Sequence, residues 1–185
     1  MPQLDNNYEW LPDARKIVSP NYDERSGRGD IDTLVIHGIS LPPAEYGGGH
    51  IDRLFTNSLA ADEHPYFQGL AGLKVSAHIL IDRRGAITQY VAFTKRAWHA
   101  GPSEFQGRSG CNDFSIGIEL EGVDHRPYER AQYLTLALVT DYLVRCWPAI
   151  KKDRIVGHSD IAPGRKTDPG PAFDWRYYFS RCAVL

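Results

Sequence analysis

The chain has 185 residues, 42% of them hydrophobic and 24% charged, with a formal net charge of −2. That length and balance suit one soluble globular domain with a substantial core. The small net charge implies no general attraction to nucleic acid, and no apolar run is long enough to span a bilayer.

The amino terminus, MPQLDNNYEWLPDARK, lacks a basic stretch followed by an apolar run, so no secretory signal is read. The three cysteines, Cys111, Cys146 and Cys182, have no metal-like spacing. Reduced thiols in a monomeric cytoplasmic protein are the simplest expectation.

Residues 1–30 read as an irregular lead-in. IDTLVIHGIS then predicts a strand apolar on both faces, with His37 at its carboxyl end and Gly38 after it. A long excursion over 41–73 follows, broken by Pro42, Pro43 and Gly47 to Gly49, with a short helix expected in HIDRLFTNSL. KVSAHILIDRRGAITQYVAF predicts two strands joined at Asp82–Gly85, and TKRAWHAGPSEFQGRSGCND reads as loop. FSIGIELEG predicts a strand with clean alternation. Ile116, Ile118 and Leu120 face one way, and Gly117, Glu119 and Glu121 the other. A helix is expected over 128–147, with Tyr133, Leu136, Ala137, Thr140, Leu143, Val144 and Trp147 on one stripe and Pro148 as its stop. KDRIVGH predicts a short strand ending at His158. After the loop SDIAPGRKTDPG, a last helix is expected with Asp174 as its N-cap. The fold class expected is α/β, with a sheet covered by helices.

His37 and His158 both follow β-branched strands, so they can converge on one ion. The Pro- and Gly-rich loop can fold back to add Asp168. Two imidazoles and a carboxylate suit zinc with one position open to water. On spacing alone the ordinary account is favoured: satisfied core histidines, and an aspartate capping a turn. Glu119 is a candidate general base, against a half-exposed sheet face shared with Glu121. Lys166 is a candidate oxyanion stabiliser, against a solvated loop lysine, which is the reading given to Arg165. His78 reads as core. His50, His64 and His125 read as surface residues. Trp98 and His99 can line a sugar or peptide cleft, although Trp98 can equally close the core.

LVIHGISLPP, KVSAHILIDRRG, KRAWHAG, CNDFSIGIELEG and GHSDIAPGRKTDPGPAFDW occur in that order. Together they resemble the AmpD-type N-acetylmuramoyl-L-alanine amidases, within the wider zinc amidase and peptidoglycan-recognition family. The resemblance covers nearly the whole chain. It implies a mixed β-sheet flanked by helices and a zinc held by His37, His158 and Asp168. Glu119 and Lys166 fall on the family's catalytic glutamate and lysine. The implied substrate is an anhydromuropeptide, cut between the lactyl group of N-acetyl-anhydromuramic acid and L-alanine during wall turnover. Trp98, His99 and Ala162 would line the cleft, and Lys74 and Arg108 would favour an acidic stem peptide. Gly38, Lys74 and Gly110 depart from the usual asparagine and two arginines. Lysine keeps the charge but loses the bidentate fork. A binding module that recognises wall without cutting it is a rival, and the complete ligand set argues against it. A non-haem iron site is another, but it would leave Glu119 and Lys166 without a task. An amidase acting on polymeric wall outside the cell is a third, opposed by the lack of an export signal.

Overall fold

A computed structural model of the chain describes residues 9–25 and 31–185; the parts of the expected lead-in at 1–8 and 26–30 lie outside the described residues. In chain order the strands are β1 (Arg15–Lys16), β2 (Tyr22–Asp23), β3 (Thr33–Ile39), β4 (Ile79–Ile81), β5 (Ile87–Gln89), β6 (Arg96–Ala97), β7 (Glu104–Phe105), β8 (Arg108–Ser109), β9 (Ser115–Glu121) and β10 (Ile155–Gly157). The helices are α1 (His50–Phe55), α2 (Arg130–Cys146), α3 (His158–Ile161) and α4 (Trp175–Arg181). Six strands form a mixed sheet in the order β1-β5-β4-β9-β3-β10. All its pairings are parallel except β4 with β5. The α/β expectation therefore holds.

β3 and β9 lie at the centre and pair over seven residues, with His37 opposite Glu119. Alternation along both strands sorts their side chains into two faces. One face carries Leu34, Ile36, Ile116, Ile118 and Leu120 and packs against α2 and α4. Leu136, Ala137 and Leu143 of α2 are buried there, as the helical stripe predicts. Each buried leucine contributes about 2 kcal/mol. Gln132 fixes where α2 starts: its Oε1 accepts from Glu129 N at 2.9 Å. Its Nε2 donates to Ile81 O and Glu121 O at the strand ends. Thr140 and Tyr178 hydroxyls meet at 2.6 Å and tie α2 to α4.

The opposite face carries Val35 and His37 from β3, and Ser115, Gly117, Glu119 and Glu121 from β9. It is covered by loops rather than by a long helix. The 41–73 excursion packs Leu41, Leu54, Phe55 and Phe67 against it. The predicted hairpin turn forms because Asp82 Oδ1 accepts from Arg84 N and Ala86 N.

Several expectations need correction. His37 lies two residues inside its strand, and His158 opens α3 instead of ending a strand. The segment expected as loop contains three two-residue strands, β6, β7 and β8. The lead-in is pinned where it is described: Asn21 Nδ2 donates to Val75 O, and Arg25 donates to Asn112 O, Asp113 O and Ser115 O. His50 is half-buried, with Leu41 O 3.1 Å from its Nδ1. Arg165 is not a free surface cation, since its Nη2 donates to Ala100 O and Pro102 O.

The loop after α3 returns to the sheet because small residues permit the approach. Ser159 N donates to Asp168 O at 3.0 Å, closing the loop on itself. Gly170 has φ +80°, and a Cβ there would lie 2.3 Å from Asp124 Cα. Gly170→Ala combines a disfavoured φ with a backbone clash, so a loss of about 2–4 kcal/mol is expected in urea unfolding. A change below about 0.5 kcal/mol would contradict the close approach.

His78 is fully buried, as expected, with Nδ1 accepting from Gly117 N and Nε2 donating to Lys95 O. Burial, reinforced by the Arg25 charge, pushes its pKa down from 6.5 to about 3. The folded ring stays neutral while the unfolded ring gains a proton. Stability is therefore lost as pH falls from 6.5 toward about 3, at about 1.4 kcal/mol per pH unit for this ring. Unfolding midpoints at pH 7 and pH 5 test this, and equal midpoints would exclude it.

Candidate metal centre and cleft

His37 comes from the centre of the sheet, His158 from the first turn of α3, and Asp168 from the returning loop. Their ligating atoms form a small triangle. His37 Nδ1 lies 2.9 Å from His158 Nδ1. Asp168 Oδ2 lies 3.2 Å from the first and 3.1 Å from the second. A tetrahedral zinc with bonds near 2.0–2.1 Å separates its ligands by about 3.3 Å. The triangle is close to that size.

The far side of each imidazole is also engaged. His158 Nε2 lies 3.1 Å from Ala100 O. A carbonyl can only accept, so Nε2 carries the proton and Nδ1 presents its lone pair to the triangle. His37 Nε2 lies 2.9 Å from His99 Nδ1. Burial lowers the His37 pKa to about 4, against the opposing pull of Asp168. Burial alone would raise the Asp168 pKa, but its contacts with His158 and His37 outweigh this and hold it well below the usual carboxylate range. Two neutral imidazoles and an ionised carboxylate are a donor set suited to a divalent cation, and among the described residues this is the group that can hold one.

Through His158 and Asp168 the triangle opens on a cleft of about 520 Å³. Glu119, Lys166, Trp98, His99 and His125 line it, together with Leu41, Leu54, Tyr66, Leu70 and Leu73 from the excursion. Glu119 and Glu121 share a face of β9 but differ in their partners. Glu121 accepts from Gly47 N at 2.5 Å and from Arg83 N at 3.2 Å, which ties the excursion to the sheet. Glu119 Oε2 is buried without a hydrogen-bond partner among the described residues. Burial raises the Glu119 pKa well above the usual carboxylate value, the Asp168 charge adds to this, and Lys166 opposes it. Neither acid sits on a half-exposed face, since they are 9% and 5% exposed.

The expected substrate contacts separate into two groups. Trp98 and His99 line the cleft, although both His99 nitrogens are engaged, with His37 and with Ser115. Lys74 is exposed between the cleft residues Leu73 and Val75. Arg108 does not reach the cleft: it pairs with Asp32 at 3.0 Å, before the amino-terminal end of β3, while the triangle lies toward the carboxyl end. Ala162 is buried and is not a lining residue; its carbonyl accepts from Arg165 N and Lys166 N.

Sequence reading missed Ser115 and Tyr128. Ser115 shares the strand parity of Glu119, a signal that could have found it. Tyr128 gave no such signal. Its hydroxyl donates to Pro169 O at 3.0 Å, beside Asp168. A Cβ on Gly38 would lie 2.2 Å from that hydroxyl, which accounts for glycine at 38.

The family model for N-acetylmuramoyl-L-alanine amidase matches residues 27–171. The 1,6-anhydro-N-acetylmuramyl-L-alanine amidase AmpD of Escherichia coli is 58% identical over 166 residues, covering 90% of each chain. A crystal structure of a selenomethionine derivative of AmpD superposes with a TM-score of 0.93 at 54% identity, covering 97% of this chain and 99% of that one. The amidase AmiD of Escherichia coli, solved with anhydro-N-acetylmuramic acid-L-Ala-D-γ-Glu-L-Lys, superposes with a TM-score of 0.62 at 28% identity, covering 87% of this chain and 65% of that one. With the sheet, the ligand triangle and these likenesses in agreement, the chain belongs to the N-acetylmuramoyl-L-alanine amidase family.

Proposed function

We propose that this protein is a zinc-dependent amidase of peptidoglycan recycling. It cleaves the amide between the lactyl group of N-acetyl-anhydromuramic acid and L-alanine of the stem peptide. One observation carries the reading: the triangle of His37, His158 and Asp168 shares a cleft with a buried, unpartnered Glu119 oxygen. The names of the AmpD relatives and the ligand in the AmiD complex support this substrate.

His37, His158 and Asp168 would hold the zinc. Bound there, zinc supplies a Lewis acid that lowers the pKa of water and polarises a carbonyl. Glu119 accepts the proton of the attacking water at its free oxygen. Its raised pKa suits a group that must take a proton and give it back near neutral pH. Lys166 places its charge beside the oxyanion that forms as the carbonyl is attacked. Glu119 then returns the proton to the alanine nitrogen as the C–N bond breaks. Trp98 forms a wall for the substrate, and Lys74 at the rim attracts a stem-peptide carboxylate. Catalysis in a reducing cytoplasm is consistent with Cys111, Cys146 and Cys182 standing outside any disulfide among the described residues. The chain acts as a monomer in this reading. Among the described residues no helix is long and apolar enough to cross a membrane.

Mass spectrometry of products from anhydromuropeptides and from intact wall tests substrate and metal together. Free peptide released only from the anhydro substrate, and abolished by chelation, is the expected result. Release from wall alone, or turnover indifferent to chelation, would overturn it. Glu119→Gln should lower kcat by about 10²–10⁴-fold with zinc content unchanged, and near-normal turnover would remove Glu119 from its role. Asp168→Ala should abolish zinc binding, and full occupancy by elemental analysis would disprove its ligand role.

A further inference from the structure

We propose that His99 and Ser115 are positioning residues for the metal centre: they form a proton relay that fixes which nitrogen of His37 is bare. The inference rests on His37 being a metal ligand and asks what makes its Nδ1 the ligating atom.

The relay can be read from its far end. Ser115 Oγ lies 2.6 Å from Cys111 O. That carbonyl can only accept, so the serine proton points to it. Ser115 Oγ also lies 3.1 Å from His99 Nε2. With its own proton committed, the hydroxyl can only accept here, so His99 carries its proton on Nε2. His99 Nδ1 is then bare, and it faces His37 Nε2 at 2.9 Å. His37 must therefore donate from Nε2, which leaves its Nδ1 lone pair facing His158 and Asp168. The opposite arrangement puts a proton on His99 Nδ1, makes His37 Nε2 the acceptor, and places a proton on the nitrogen that must bind metal.

The surroundings hold this relay in place. A Cβ on Gly117 would lie 2.3 Å from His99 Cγ, so the absence of a side chain there makes room for the ring. Asn112 Oδ1 accepts from His99 N and Ala100 N, fixing the backbone beneath the ring. Arg25 donates to the carbonyls of Asn112, Asp113 and Ser115 and clamps the segment that ends in the serine. Ser115, Gly117 and Glu119 thus occupy one face of β9 with three tasks: ending the relay, making room for its ring, and supplying the carboxylate.

Nitrogen-15 labelling of histidine reads the tautomer directly in metal-free protein, and chelator competition reads zinc affinity. In the wild type, His37 should carry its proton on Nε2. In Ser115→Ala the His99 proton loses its acceptor. His37 should then populate the Nδ1-protonated form, and zinc affinity should fall about 10–100-fold. His99→Leu, which removes the acceptor facing His37, should lose zinc affinity to a similar extent. A merely structural role for Ser115 would leave the tautomer unchanged. A wild-type His37 protonated on Nδ1, or a folded Ser115→Ala variant with unaltered tautomer and zinc affinity, overturns the proposal. The wild-type spectrum decides even if neither variant folds. Wild-type protein that takes up no zinc would refute the metal reading separately, with the tautomer still measured.

Discussion

Three atoms that can each ligate a cation, brought within about 3 Å of one another, two of them on buried imidazoles, are the constraint on which this structure turns. Without a cation, lone pairs in that position repel, and burial makes the repulsion more costly. The surrounding chain is arranged to hold them regardless. Ala100 O engages His158, His99 engages His37, and the Ser159–Asp168 backbone bond returns the loop to the sheet. Tyr128 fastens the same loop one residue further on, through Pro169 O.

The sheet makes this economical. Parallel pairing of β3 with β9 sets His37 beside Glu119, and alternation sends both toward the loop-covered face. The other face of β3 and β9 is apolar, so α2 and α4 can stabilise the fold without touching the chemistry. Polar groups on the site face are satisfied by one another or by backbone. Among the described residues, Glu119 Oε2 is instead a buried oxygen without a partner, and Glu119 lines the cleft. Glu121, two residues along, shows the alternative fate of a buried carboxylate: both its oxygens accept backbone N–H groups, and it anchors a loop.

Much of this was legible in the sequence. The alternation in FSIGIELEG and the stripe in α2 gave the right faces because burial imposes those periods. The β-branched runs before His37 and His158 identified strands that could deliver them to one end of a sheet. Where sequence distance stood in for space, the reading failed. Arg108 is near Gly110 in the chain, yet its guanidinium pairs with Asp32 at the wrong end of β3. Arg165 resembled a solvated cation, but it bridges two carbonyls of the 100–102 loop. His99 was read as a cleft residue, and it does border the cleft, but its nitrogens face inward to His37 and Ser115.

By itself, then, the sequence determined the α/β class, the buried central strands and the motifs that point to the family, and through that resemblance it singled out His37, His158 and Asp168. Those features depend on local periodicity and on residue type, which the chain carries in its order. Only the tertiary structure decided that Glu119 and not Glu121 is left free, that Gly38 makes room for Tyr128, and that Ser115 stands behind His99. Each of these depends on which atoms fill the few ångströms around a side chain. Segments far apart in sequence set that filling, and the chain order does not record their approach.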